Sequence, residues 1–305
     1  MASPLPGMPP GPGFEYIRRQ EPFPSPRALE PVVIDLHSHT TASDGQHSPE
    51  ELLSLAAAAG VTVLAVTDHD TVAGLAAAKE AARARGLELV PGIELSAFVL
   101  GKEAHILGHF LRLDDPDIAQ FADKLRTERE QRMEQMVEKM RKLGFPVRME
   151  DVYALAEKAH LGRPHLARVL VEKGWCVDTK EAFDRFLGDG RPAWVDRYRL
   201  EGPDAIRLIR NAGGTATLAH PGTSKMNRME IEQLAKAGLS GLEVYHSDHN
   251  PSVREKYLAL AKEYDLVPTA GSDFHGEKVA PGRHLGTASM PPEQFQKLRS
   301  RAVAH

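Results

Sequence analysis

Val32-Val33-Ile34-Asp35-Leu36-His37-Ser38-His39-Thr40-Thr41-Ala42-Ser43-Asp44-Gly45 decides how the rest of the chain is read. Its first half is a short apolar run with β-branched residues, the composition of a buried strand. Its polar end carries His37 and His39 two residues apart; side chains alternate across a strand, so both imidazoles leave the same face. With Asp44 in the following loop, the stretch offers nitrogen and oxygen donors of the kind that hold Zn, Mn or Fe. Alone, a His-x-His tripeptide equally suits the polar closing of a strand. The same grammar returns near the far end, where an apolar run over 266–270 gives way to Gly271-Ser272-Asp273-Phe274-His275. Asp273 and His275 repeat the spacing, and two such pairs, each just past an apolar run, point to donors brought together by the fold.

Between these ends, strand-like runs alternate with helices. Ser48-Pro49-Glu50-Glu51 opens a capped helix that Gly60 closes. A strand over 61–66 ends in Thr67-Asp68-His69-Asp70, an alanine-rich helix over 71–85 stops at Gly86, and a strand over 87–90 delivers Gly92-Ile93-Glu94. Such alternation predicts parallel β/α units, and in barrels of that kind the strand ends carry the chemistry. Residues 104–110 alternate with period two, which puts His105 and His109 on one face; His105 lies nearer Glu94 in sequence and is the favoured donor.

From residue 112 the pattern turns helical. A charged helix over 117–143 carries Phe121, Leu125, Met133, Met136, Val137, Met140 and Leu143 on one face, the methionines reading as core filler. Shorter helices follow over 150–158, 164–173 and 180–186 with no strand between them. Residues 112–200 are therefore expected to be an inserted all-helical cap domain on an α/β barrel domain made of 31–111 and 201–305. In the second part, helices over 203–211, 229–236 and 252–264 alternate with strands over 215–219 and 241–245. Those strands end in His220-Pro221-Gly222 and His246-Ser247-Asp248-His249.

A chain of 305 residues with a formal charge of -4 is long enough for one barrel-sized domain with an insertion, and has no general pull on nucleic acid or anionic membrane. Any anion binding must be local. Residues 1–30 hold eight prolines and no periodicity, and read as an extended or disordered leader. No apolar run approaches bilayer length and no basic-then-apolar N-terminus is present, so the expected compartment is the cytoplasm. A single cysteine, Cys176, excludes an intramolecular disulfide and a thiolate metal cluster.

Collected, the strand-end donors are His37, His39, Asp44, His69, Glu94, His105, His220, Asp273 and His275. At roughly four to six ligands per ion, with a bridging carboxylate, they suit three divalent ions rather than one. Charge left over after the three carboxylates would draw an anionic substrate and lower the pKa of a bridging water.

The ordered motifs His37-Ser38-His39, Ser43-Asp44-Gly45, Thr67-Asp68-His69-Asp70, Gly92-Ile93-Glu94, Ala219-His220-Pro221 and Gly271-Ser272-Asp273-Phe274-His275 strongly resemble the polymerase and histidinol phosphatase (PHP) family. The resemblance covers 32–111 and 203–290. It implies a distorted barrel of seven β/α units with a trinuclear centre of Mn, Fe or Zn. His37, His39, Glu94 and Asp273 would hold one ion, Glu94, His105 and His220 a second, and Asp44, His69 and His275 a third.

Within the family, the cap with Gly162-Arg163-Pro164-His165 resembles a subgroup that hydrolyses nucleoside 3′,5′-bisphosphates, and also a 5′-3′ exonuclease of short RNAs. The implied activity is phosphate monoester hydrolysis by a metal-activated hydroxide, with His220, His246 and Asp273 as catalytic groups. Arg163 and His165 open a helix, where a guanidinium, an imidazole and free amides could hold a second phosphate. Arg199 and His249, with Arg197, Lys225 and Arg228, are further substrate-binding candidates. The expected partner is a small phosphorylated nucleotide or a short oligonucleotide, with no membrane and no stable duplex nucleic acid. An aromatic content of 6% argues against an extended strand-binding groove. A non-catalytic regulatory module stabilised by metal is the remaining alternative, and the full donor set speaks against it.

Overall fold

The computed structural model describes residues 32–113, 115–156 and 161–303, all within one compact unit, Val32–His305. The leader expected over 1–30 and the end of the helix expected over 150–158 lie outside the described residues.

Strands β1 (Ile34–Asp35), β2 (Val63–Val66), β3 (Glu88–Val99), β4 (Lys102–His109), β5 (Thr215–Leu218), β6 (Gly241–His246) and β7 (Val267–Gly271) form one sheet in chain order. The sheet curls until its edges meet. Leu36 N–H donates to Ala270 O (3.0 Å), Asp273 N–H to His37 O (2.9 Å) and His39 N–H to Phe274 O (2.9 Å). The chain leaving β1 thus runs beside the chain leaving β7, and a seven-stranded barrel is nearly closed. Asp35, buried within the first strand, ties the seam by accepting from the backbone N–H of Ser272 and of Gly286, both at 2.9 Å.

β1, β2 and β3 pair in parallel, as do β5, β6 and β7. β4 is antiparallel to both of its neighbours, a departure from the expected series of β/α units. The strand expected to end at residue 90 runs on to Val99 and reverses at Leu100 and Gly101, with φ of 49° and 79°. Two residues in the left-handed region make a tight hairpin, which leaves no chain for a crossover helix, so β4 can only return antiparallel. The reversal carries His105 back to the same rim that Glu94 reaches.

Helices α1 (Pro49–Ala58) and α2 (Leu75–Arg85) cover β2 and the start of β3 through Leu52, Leu53, Ala78 and Ala82. Ser48 caps α1 in a reciprocal box with Glu51, with Pro49 in the first turn. α2 starts later than expected, at Leu75, after a turn at 73–74, while Asp70 stays beside β3, its N–H donating to Glu94 O (2.9 Å).

The helices over 112–200 are α3 (Pro116–Lys142), α4 (Met149–Ala156), α5 (Arg163–Glu172) and α6 (Thr179–Ala182), followed by a π-helical turn, Phe183–Leu187. They enclose a core of their own in which Met133, Met136, Met140, Leu166, Leu170 and Leu187 are buried. Each such side chain contributes about 1.5–3 kcal/mol on burial, enough together to hold a helical unit over the rim. Cys176 belongs to that core. α7 (Gly202–Asn211), α8 (Arg228–Lys236) and α9 (Pro251–Glu263) complete the barrel's outer layer, and α10 (Pro292–Arg299) buries Phe295 and Leu298 against Ile34, Leu36 and Ala270. Among the described residues, no helix is long and apolar enough to cross a membrane.

Candidate metal centre

Strand ends and the loops beyond them deliver the imidazoles and carboxylates to one rim. His37 Nε2, His39 Nε2 and Glu94 Oε2 lie 3.1 Å from one another, and Asp273 Oδ1 is 3.3 Å from both imidazole nitrogens. Such spacings match the edges of a four-coordinate shell with bonds of about 2 Å. Two nitrogens and two carboxylate oxygens facing one point suit a cation at their centre. Glu94 turns its other oxygen to His105 Nδ1 (2.8 Å) and His220 Nε2 (3.2 Å), so one fully buried carboxylate spans two groups of donors.

At the mouth, Asp44 is half exposed and meets His275 Nε2 (3.3 Å), His39 Nδ1 (3.6 Å) and His69 Nε2 (3.8 Å). The structure therefore gathers three sets within reach of one another: His37, His39, Glu94 and Asp273; His39, Asp44, His69 and His275; and His69, Glu94 and His105. His69 faces both Asp44 and Glu94, and His220 joins through Glu94 alone. The buried Nδ1 atoms of His39 and His69 lack a hydrogen-bond partner and face Asp44 Oδ1 (3.6 Å) and Glu94 Oε2 (3.3 Å), as ligand nitrogens would, whereas His220 meets Glu94 through Nε2.

Charge balance agrees with the geometry. Burial alone pulls the His37 imidazole down, but Asp273, Glu94 and Glu243 outweigh it and hold its pKa well above the usual value. His39 is likewise opposed by burial and lifted to about 9 by Asp273 and Glu94, and His105 to about 10 by Glu94 and Glu103. Burial would raise Glu94, yet His69, His37 and His105 hold it well below the ordinary carboxylate range. His69, buried among other imidazoles, falls to about 3. A cluster that otherwise draws protons onto its imidazoles would release them to divalent cations, so cation uptake there is coupled to pH.

An outer ring of side chains aims these donors. Glu243 Oε1 sits 3.1 Å from His37 Nδ1, which fixes the tautomer and leaves Nε2 for the centre, while Oε2 accepts from His220 N–H at 2.7 Å. That second bond holds His220 at a φ of 24°, a strained value of the kind that clusters at working sites. Any side chain at Gly271 would overlap His37 and Glu243. Asp68 accepts from Thr40 N–H (2.7 Å), Thr40 Oγ1 (2.8 Å) and Ser43 Oγ (2.7 Å), shaping the loop that presents Asp44. Glu243 sits inside a strand that reads as apolar, and the sequence analysis did not single it out.

Two expected roles change here. His246 is fully buried and its Nδ1 accepts from Asp248 N–H (3.1 Å), so its Nε2 donates to Asp273 Oδ2 (3.4 Å); it positions a carboxylate instead of meeting substrate. His249 has both nitrogens engaged, Nδ1 donating to Val244 O (3.0 Å) and Nε2 accepting from Gly222 N–H (3.1 Å), and is structural.

Beside the donors, α3 and the segment before α7 close a recess of about 360 Å³. It is lined by Asp44, His69 and His105 on one side and by Arg129, Arg132, His165 and Arg197 on the other. His165 is there as expected, although its Nδ1 accepts the Gly162 N–H that starts α5. Arg163 is not: Asp189 holds its guanidinium at 2.6 Å. Arg199 is also outside, exposed and stacked over Phe98. Arg197 lines it as expected, 2.9 Å from Glu103, and is joined by Arg129, paired with Asp70, and Arg132, whose Nε donates to Val195 O (2.8 Å). Burial, together with the like charges of Arg163 and Arg197, lowers the Arg132 pKa to about 10. Three guanidiniums crowd this wall; Asp70 and Glu103 engage two of them, while Arg132 is held by a neutral carbonyl and keeps its charge for an anion, with Glu128 and Asp44 also on the lining. No motif announces Arg129 and Arg132, which reach the recess from within the charged helix α3.

Known proteins resemble this chain over most of its length. A family profile described as the PHP domain matches residues 35–115. A 5′-3′ exoribonuclease of Haemophilus influenzae is 38% identical over 79% of this chain and 89% of its own length. A 3′,5′-nucleoside bisphosphate phosphatase of Chromobacterium violaceum is 34% identical over 85% of this chain and 93% of its own. A solved structure from Bifidobacterium adolescentis, provisionally described as a metal-dependent phosphoesterase, superposes with a TM-score of 0.74 at 30% identity, covering 88% of this chain and 96% of that one. Fold and donor set define a metal-binding barrel of the α/β class. The chain belongs to the PHP family.

Proposed function

We propose that this chain is a metal-dependent phosphoesterase that hydrolyses the 3′-phosphate of nucleoside 3′,5′-bisphosphates. One observation carries the reading: the recess floored by Asp44, His69 and His105 is walled by Arg129, Arg132 and Arg197, so it has a place for the ester that reacts and another for an anion that does not.

Three divalent ions, of Mn, Fe or Zn, suit the donors. His37, His39, Glu94 and Asp273 would hold one, Glu94, His105 and His220 a second, and Asp44, His69 and His275, with His39 close by, the third. When bound, such ions supply nucleophilic water at neutral pH and neutralise phosphoryl charge. The chain's own residues do the rest. Arg129, Arg132 and Arg197 orient the spared 5′-phosphate, and their reach from α3 and the segment before α7 sets the length of nucleotide that bridges both ends. Tyr198 and Leu161 narrow the recess and exclude water. His220 keeps to the ligand role, since its Nε2 turns to Glu94 and its Nδ1 is buried.

A second reading, 5′-3′ cleavage of short RNA, draws support from another opening. A recess of about 570 Å³ on the far side of the centre shares Asp44 with the first and continues past His275 and Arg283, room for a chain beyond the scissile phosphate. Incubation with adenosine 3′,5′-bisphosphate and Mn, set beside a labelled pentanucleotide, separates the two. The proposal expects phosphate and adenosine 5′-monophosphate from the first and intact internal linkages in the second. No phosphate with Mn, Zn or Fe sinks it, and stepwise shortening of the pentanucleotide establishes the second reading.

A further inference from the structure

Asp273 uses its two oxygens for different purposes. Oδ1 faces His37 and His39 at 3.3 Å, whereas Oδ2 faces away from them, towards His246 Nε2 (3.4 Å) and the guanidinium of Arg283. Arg283 comes from the loop after β7. Its Nη1 donates to Asp273 Oδ2 and to the Asp273 backbone carbonyl (3.2 Å), and its Nη2 donates to Asp248 Oδ2 (2.7 Å). Asp248 also sets the tautomer of His246 through its backbone N–H.

Two donors organised by one aspartate therefore grip the same carboxylate oxygen. The gripped residue holds a φ of 53°, a left-handed value that a non-glycine residue keeps only under constraint. An ordinary exposed ion pair would contribute about 0–1 kcal/mol and constrain nothing. This one is half buried, reaches backbone and side chain of one residue together, and backs directly onto the donors.

We infer that Arg283 is a positioning residue that makes Asp273 a one-oxygen ligand and thereby sets the cation affinity of the group formed by His37, His39, Glu94 and Asp273. The inference rests on the metal-centre part of the function proposed above and is independent of its substrate. Removing Arg283 frees Oδ2 to rotate and lets the strained backbone relax, so the effect falls on cation binding before any substrate is present. Loss of an outer-shell partner of this kind weakens metal affinity by roughly tenfold to a hundredfold.

The test is calorimetric titration of Mn into the chelator-stripped full chain, with the electron paramagnetic resonance signal of bound Mn as a second readout. Arg283→Gln should weaken one class of Mn site by about tenfold to a hundredfold and leave the others near wild type. Arg283→Lys should recover part of that loss, since a single ammonium serves one carboxylate well but lacks the fork that spans both. Asp248→Asn, half exposed and tolerable to the fold, should give a smaller loss in the same class if Arg283→Gln proves unstable. Equal Mn affinities in wild type, Arg283→Gln and Asp248→Asn overturn the inference, as does a wild-type chain that takes up no divalent cation. Altered Mn affinity in a protein that releases no phosphate from any bisphosphate upholds it and overturns only the proposed substrate.

Discussion

The donor cluster and the arginine recess adjoin each other, share His69 and His105, and are built in opposite ways. The cluster consists of short side chains at strand ends, His37, His39, Glu94 and Asp273 buried, with His37 aimed by Glu243 and Asp273 by His246. The recess consists of long side chains, each with one or two partners and a path to solvent. A site that must place several donors within a fraction of an ångström is over-determined, because each error costs the whole shell. A surface that attracts one anion tolerates looser parts, since any two of three guanidiniums can still reach it. Changes in the cluster should therefore act in an all-or-none fashion, and changes in the recess by degrees.

The sharpest way to break that contrast is Glu94→Gln. Glu94 spans two donor groups, so the amide should cost cation stoichiometry and lower phosphate release by on the order of a thousandfold, the several kcal/mol that metal charge supplies. Elemental analysis alongside the assay would contradict the comparison if full metal content and near-normal turnover survived.

Next in size is a stability effect inside the barrel. His109 is fully buried, donates from Nε2 to Leu36 O (2.9 Å), and burial first, then His37, lowers its pKa to about 4. Its unfolded value is near 6.5, so as pH falls the unfolded chain binds a proton that the folded chain refuses. Stability contributed above pH 6.5 is lost between about 6.5 and 4, about 3 kcal/mol in total. Urea denaturation at several pH values should show the gap between wild type and His109→Gln closing over that window. A gap constant with pH would remove His109 as the cause.

The smallest effect belongs to the recess. Arg132→Ala should lower kcat/KM for a 3′,5′-bisphosphate by about tenfold to a hundredfold, the worth of a charge-assisted hydrogen bond of about 1.5–3 kcal/mol. Adenosine 3′-monophosphate, without the second phosphate, should be turned over as by wild type. Equal losses on both substrates would show that the guanidinium supports the fold and not the anion.

Much of the centre was legible because strand geometry is local. His37 and His39 share a face through alternation, and the donors after β2, β5 and β7 follow from where an apolar run stops. The roles of His246 and His249 were not legible. Whether an imidazole meets substrate or a backbone amide depends on local turn geometry for His246, held by Asp248 N–H two residues on, and on a distant loop for His249, held by Gly222 N–H. Arg163 and Arg129 show the same limit from the other side: a guanidinium on a long stem goes wherever the nearest carboxylate is, and Asp189 and Asp70 decided that.

The sequence by itself determined which residues could be donors and that strands would present them, since a side chain's direction along a strand depends on its immediate neighbours. Tertiary structure decided that β4 returns antiparallel to bring His105 to Glu94, that Asp273 turns one oxygen inward and one toward Arg283, and that three arginines gather over the rim. The first two follow from a hairpin and a loop whose geometry no side-chain pattern announces, and the third from contacts between distant segments, whose free energy appears when α3 packs across the barrel's mouth.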